Sequence, residues 1–103
     1  MENKVLIRKY ELVTIIDAKL TNDQKEAICK EVVEILQKVD AKVINSQVWF
    51  EKHKFSFDIK RCKEGTYYLT NFESPASSIS KIRAALRLKE KVLRFEIIKN
   101  EKT

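Results

Sequence analysis

Few side chains in this sequence are equipped for covalent chemistry. His53 is the single histidine, and an imidazole works as a general base only when a second group orients it beside a nucleophile. No serine or cysteine around it stands in a nucleophile-elbow setting, so His53 reads as a solvated loop histidine. Cys62 is flanked by Lys60, Arg61 and Lys63, cations that are expected to lower its thiol pKa. Cys29 follows Ile28 on an apolar helical stripe and reads as a small core residue. Two cysteines 33 positions apart and one histidine supply neither a disulfide framework nor metal ligands at a known spacing. Asp58, between Lys54 and Lys60 on an extended segment, reads as a structural charge partner. A single glycine leaves no Gly-rich loop to cradle a nucleotide phosphate. The expectation is no enzyme, no metal, no cofactor and no small-molecule substrate.

Charge points elsewhere. The net charge of +6 is unevenly placed. Residues 1–40 hold seven Lys/Arg against eight Asp/Glu, whereas residues 81–103 hold eight against three and residues 51–64 five against three. Clustered cations bind polyanions by releasing condensed counterions, so nucleic acid is the first partner to consider.

The elements that must position these charges follow from periodicity. Val5 to Asp17 reads as a strand rich in β-branched and aromatic residues, apolar on both faces. Thr21 and Gln24 form a capping box that opens an amphipathic helix over Asn22 to Val39, with Ile28, Val32, Ile35, Leu36 and Val39 as its stripe. Lys42 to Arg61 reads as one long or bulged strand whose pattern breaks near Glu51–Lys54. A turn at Lys63-Glu64-Gly65 is expected to return the chain through Tyr67–Phe72 as a hairpin. Ser74 as N-cap and Pro75 at the first helical position predict a second helix with Ile79, Ile82, Ala85 and Leu86 inward. Val92 to Lys99 closes as a strand with Leu93, Phe95 and Ile97 on one face.

This order, β-α-β-β-α-β, defines an α+β, ferredoxin-like fold: a four-stranded antiparallel sheet with two helices on one face. It is expected to form a single domain over 1–103, with 1–6 and 100–103 as frayed ends. No apolar run approaches the roughly 18 residues of a membrane span, and the start has no signal-peptide core, so no membrane partner is expected. The second sheet face has no cover of its own and is a candidate docking surface. Tyr67 and Tyr68 fall on the third strand, where RNA-recognition domains of this topology stack bases. That gives an alternative reading as an autonomous single-stranded RNA-binding module, although of that motif only Gly65, Tyr68 and Leu69 are present.

Four segments then resemble a known family. Arg8-Lys9-Tyr10-Glu11 before an apolar run resembles the Arg-x-Tyr-Glu opening of the bacterial small-subunit ribosomal protein six family. Phe50 to Ile59 is similar, in register, to its Trp-Gly-x-Arg-x-Leu-Ala-Tyr-Pro-Ile segment. Gly65 to Glu73 resembles its Gly-x-Tyr-x-x-x-Asn-x-Glu strand, and Leu86-Arg87-Leu88 with Val92-Leu93-Arg94 its closing run. The sequence is a divergent member: Phe50-Glu51 stands for Trp-Gly, and Phe57-Asp58 for Tyr-Pro. Glu51 removes glycine's freedom at any positive-φ bulge there, and Asp58 restores an N–H donor.

The resemblance implies a structural protein of the small ribosomal subunit. It would bind the central domain of small-subunit ribosomal RNA as a heterodimer with small-subunit ribosomal protein eighteen. It also implies a cytoplasmic, ribosome-associated location, an organellar ribosome included. Position by position it implies RNA contacts from Arg8, Lys52, Lys54, Arg87 and Arg94. Phe50, Phe57 and Tyr68 are the candidates for the partner protein, because aromatics supply much of the energy at interfaces.

Overall fold

The computed structural model describes residues 6–100. Ile7–Asp17 (β1) is the strand expected from its β-branched run, and it lies inside the sheet with a neighbour on either side. At Thr21 the hydroxyl accepts from the Gln24 N–H at 3.2 Å, and the Gln24 side-chain oxygen accepts from the Thr21 N–H at 3.0 Å. This reciprocal cap opens Asn22–Lys38 (α1). The helix ends where Asp40 turns left-handed at φ 66°. Its N–H reaches the Gln37 carbonyl at 3.3 Å, and that of Ala41 reaches the Leu36 carbonyl at 3.0 Å, a Schellman closure with Asp in the usual glycine position. Lys42–Ile59 (β2) and Cys62–Pro75 (β3) form a long hairpin, a 3₁₀ turn at Ala76–Ser78 leads into Ile79–Arg87 (α2), and Val92–Lys99 (β4) completes the chain.

The strands lie in the order β2-β3-β1-β4, every neighbouring pair antiparallel. The fold is the α+β, ferredoxin-like one expected from the element order. Both helices cover the same face. Ile28, Val32 and Leu36 of α1 and Ile82 and Leu86 of α2 pack with Tyr10, Leu12, Ile16, Phe72 and Val92 into one buried cluster. Tyr10 and Phe72 stack within it at 5.5 Å between ring centroids. No helix among the described residues is long and apolar enough to cross a membrane.

Four local expectations are corrected. The hairpin reverses at Lys60-Arg61, between paired Ile59 and Cys62, and not at Lys63–Gly65. Both turn residues are left-handed, at φ 49° and 69°, the pattern of a two-residue type I′ turn, whose twist matches that of the strands. Gly65 instead lies inside β3, paired with Asp17 on one side and His53 on the other. A Cβ there would collide with the Phe55 ring and lie 2.7 Å from Ile15 Cγ2, so the position needs glycine for close approach.

Ser74 does not cap a helix. Its hydroxyl donates to the Pro75 carbonyl at 3.0 Å while β3 continues to Pro75 opposite Ile7, since proline holds its predecessor extended. In β4 the place opposite Ile16 goes to Val92 and not to Leu93, although Leu93 is buried as well. A register shift pairs Ile15 with Arg94 and Ile16 with Val92, leaving Leu93 as the extra residue. Finally, the Asn100 N–H donates to the Lys9 carbonyl at 2.9 Å, so residue 100 extends the β4–β1 pairing. Residues 1–5 and 101–103 of the expected frayed ends lie outside the described residues.

Gly65→Ala is expected to destabilise the fold by about 1–3 kcal/mol through overpacking. In urea denaturation, the Gly65→Ala/Phe55→Ala double variant should lose less than the sum of the two single changes. A Gly65→Ala protein as stable as its parent would contradict the close approach.

Candidate nucleic-acid and partner interface

Side chains alternate across a strand, so the residues between the core positions face away from the helices. On β1 these are Glu11, Val13 and Ile15, and their partners are Asn71, Leu69 and Tyr67 on β3 and Ile98, Glu96 and Arg94 on β4. β2 completes this open face irregularly. Its register slips between Val48 and Phe50 and again between Phe50 and His53. An extra residue at such a bulge lets neighbouring side chains project on one side. No left-handed residue is needed there, as Glu51 keeps a negative φ.

The consequence is an aromatic cluster. Trp49 stacks on Phe50 at 5.1 Å, and both meet Tyr67 edge-on at 6.4 and 5.7 Å. His53 joins them, 5.6 Å from Phe50 and 5.2 Å from Tyr67, and Phe55 lies 6.5 Å from the Tyr67 ring. Trp49 remains 50% exposed and Phe50 44%. Five rings held this way, with Trp49 and Phe50 about half in water, offer apolar contact area that no other described residue covers. His53 makes ring contacts with Phe50 and Tyr67, and no hydrogen bond to a carboxylate is found for it among the described residues.

The expected partner-binding residues are placed differently from one another. Phe50 is in the aromatic cluster. Phe57 lies 82% exposed in the stretch where β2 carries extra residues between Lys54 and Ile59. Tyr68, paired with Thr14 and Val48, is on the helix-covered face. It lines a groove of about 470 Å³ with Cys29, Val33 and Val48, between α1 and the β2 edge. Burial, followed by the neighbouring Cys29 thiol, pushes the Tyr68 phenol up to about 12. Burial likewise raises the Cys29 thiol, against the opposing effect of its hydrogen bond with Tyr68. Tyr67, which the sequence reading weighed but did not select for the partner, occupies the centre of the open-face cluster. Its signal was strand alternation alone.

The five basic residues divide four to one. Lys54 pairs with Glu64, next to the Gly65–His53 pair, and Arg94 pairs with Ile15. Lys52, Lys54, Arg94 and Arg87, the last residue of α2, thus share one end of the sheet. Arg8 pairs with Ser74 at the other end, roughly 23 Å from Ile15 along the strand at about 3.3 Å per residue. Lys60 and Arg61, at the hairpin tip, extend the basic end. The charge count over residues 51–64 had included them, but a turn displaced to Gly65 hid their position.

Cys62 corrects an expectation. Its thiol is pushed above its usual value, first by loss of solvent and then by the negative charge of Asp17. The flanking lysines and arginine do not dominate, because the Asp17 carboxylate of β1 reaches the thiol. Its Sγ lies 3.7 Å from the Lys60 carbonyl.

Helices behind, with uncovered rings and a basic end in front, define a ferredoxin-like interaction platform. Residues 9–99 match the family described as Ribosomal protein S6. Small ribosomal subunit protein bS6 of Campylobacter lari is 35% identical over 95 residues, covering 92% of this chain and 76% of the relative. The protein of the same name from Geobacter metallireducens is 30% identical over 97 residues, covering 94% and 81%. The crystal structure of 30S ribosomal protein S6 from Thermotoga maritima superimposes with a TM-score of 0.82 at 21% identity, over 92% of this chain and 89% of that one. The C-terminal domain of MgtC from Mycobacterium tuberculosis shares the fold alone, with a TM-score of 0.60 at 12% identity. The chain belongs to the Ribosomal protein S6 family.

The raised phenol of Tyr68 has a stability consequence. A folded pKa above the unfolded value of about 10 means that the fold favours the neutral phenol. This contribution is fully present below about pH 10 and is lost as pH rises toward about 12. Urea midpoints should therefore fall more steeply over that window in the parent than in Tyr68→Phe. Parallel curves would contradict the assignment.

Proposed function

We propose that the chain is a structural component of the small ribosomal subunit. It binds the central domain of small-subunit ribosomal RNA as a heterodimer with small-subunit ribosomal protein eighteen, on cytoplasmic ribosomes. The observation that carries this reading is the juxtaposition of an uncovered aromatic sheet face with a cation-rich sheet end. Family membership supports it, since the relatives are named as small-subunit proteins.

Lys52, Lys54, Arg87 and Arg94 contact phosphate and sugar at one end of the sheet, and Arg8 at the other. Such contacts fix placement without reading sequence, and they make affinity fall with salt. Phe50 and Phe57 meet the partner protein, joined by Trp49 and Tyr67, while half-buried Tyr68 meets it only from the groove beside the β2 edge on the other face. The whole chain acts as one domain in this role. Its mechanism is binding and placement; no chemical step is assigned to it.

A second reading draws on one observation, the partly buried ring of Tyr67 held edge-on against Trp49 and Phe50 on the open face. An autonomous single-strand reader would stack bases there, and Tyr67→Ala would cost it about 1–3 kcal/mol per stacked base without any partner present.

The test is a titration of small-subunit central-domain RNA with the chain alone, with the partner alone, and with both. The expected result is weak binding by the chain alone and tight binding by the pair, with log K falling linearly in log salt. Tyr67→Ala should weaken association with the partner while leaving the intrinsic RNA affinity of the chain nearly unchanged. Absence of salt-dependent binding by the pair would refute the proposal.

A further inference from the structure

The hairpin tip does not extend freely into solvent. Lys60 reaches back over the sheet, and its Nζ donates to the Val92 carbonyl at 3.5 Å. There it lines a shallow groove of about 310 Å³ with Arg87 from α2 and Arg94 from β4, over a floor that includes Leu93 and Phe95. Three cations from three separate elements line this groove, and no carboxylate does. The ion pair of Lys89 with Glu31, at 2.8 Å, is the only one among the described residues, so none of the three is neutralised by a salt bridge. Like charges brought together without a counter-ion repel, and an anion entering the groove relieves that repulsion.

The turn itself points the same way. Lys60 and Arg61 both adopt left-handed φ values, which Asn-Gly would hold with less strain. Both side chains are exposed, so packing does not explain why long cationic residues occupy these positions.

We infer that the hairpin tip and the β4 edge form one phosphate-binding site for the backbone of a nucleic acid, with Lys60 as the residue that joins them. The inference deepens the RNA-binding reading above and rests on it. The Lys60 ammonium has three N–H donors and uses one on Val92. The guanidinium forks of Arg87 and Arg94 match phosphate oxygens in pairs. Basic residues continue past the groove to Arg61 and Lys63 at the tip, so the charge forms a track. Contact with successive backbone phosphates requires a track, whereas a single acidic side chain would need only a spot.

The experiment compares the parent with Lys60→Asn/Arg61→Gly, each as the full chain with its partner protein, on small-subunit central-domain RNA. The substitution installs the preferred turn pair and removes two cations. The expected result is a higher Tm together with RNA binding weakened about tenfold, and a slope of log K against log salt smaller by about 1–2. Lys60→Gln, which leaves Arg61 and the turn otherwise unchanged, should give a slope smaller by about 1. Parent-like affinity and slope in both variants, with the parent still binding RNA, would overturn the inference and leave the RNA-binding reading standing. Failure of the parent itself to bind would overturn both. Polyglutamate serves as a competitor. If it displaced RNA from the parent at equal charge concentration and lost that ability in the variants, the groove would be an acidic-protein site and the inference would fail.

Discussion

The pairing of β1 with β3 governs what this protein can present. It runs in unbroken register from Ile7 opposite Pro75 to Asp17 opposite Gly65. Because side chains alternate, that register assigns Tyr10, Leu12 and Ile16 to the helices together with Thr66, Thr70 and Phe72. The same register sends Val13, Ile15, Tyr67 and Leu69 to the other face. A slip of one residue would exchange the two sets, exposing the core and burying the rings. Two buried hydroxyls of the covered face find partners on β2. Thr66 donates to the Glu51 carbonyl at 2.7 Å, and Thr70 shares a hydrogen bond with Ser46 at 3.0 Å. These bonds also tie β2 to β3 by side chains as well as backbone.

Against this regular pair, β2 is irregular in ways that shape the interface. It spends 18 residues between its pairing with Glu73 and its pairing with Cys62, several more than the β3 segment opposite. The early excess sets Trp49 beside Phe50 on one face, and the later excess leaves Phe57 in water. Rigid pairing near the centre of the sheet and bulging at its edge divide the work between stability and contact, as loops and scaffold do in other proteins. The hairpin tip then folds back far enough for Lys60 to meet β4.

Much of this was legible in the residues. The capping box at Thr21 and Gln24, the α1 stripe, the bounds of β4 and the uncovered sheet face all follow from local patterns that tertiary packing reinforces. The single glycine misled, because glycine serves close approach as well as turns, and only the Phe55 ring shows which role Gly65 has. Ser74-Pro75 misled similarly: the dipeptide starts helices often, but strand pairing with Ile7 holds it extended here. The basic residues were visible as a count, while their division between the two ends of the sheet depends on register. Cys62 shows the same limit, since Asp17 is 45 positions away in sequence yet its side chain meets the Cys62 thiol in the fold.

The central claim is that one face of the sheet is given to the fold and the other, with its basic end, to partners. Amide chemical-shift mapping of the isotope-labelled chain, free and assembled with its partner protein and central-domain RNA, tests this directly. The account predicts perturbations concentrated on the open-face residues of β2 and β3, the hairpin tip, the start of β4, the end of α2 at Arg87 and the start of β1 at Arg8. Perturbations centred on the outer surfaces of α1 and α2, with the Trp49–Tyr67 cluster unmoved, would contradict it.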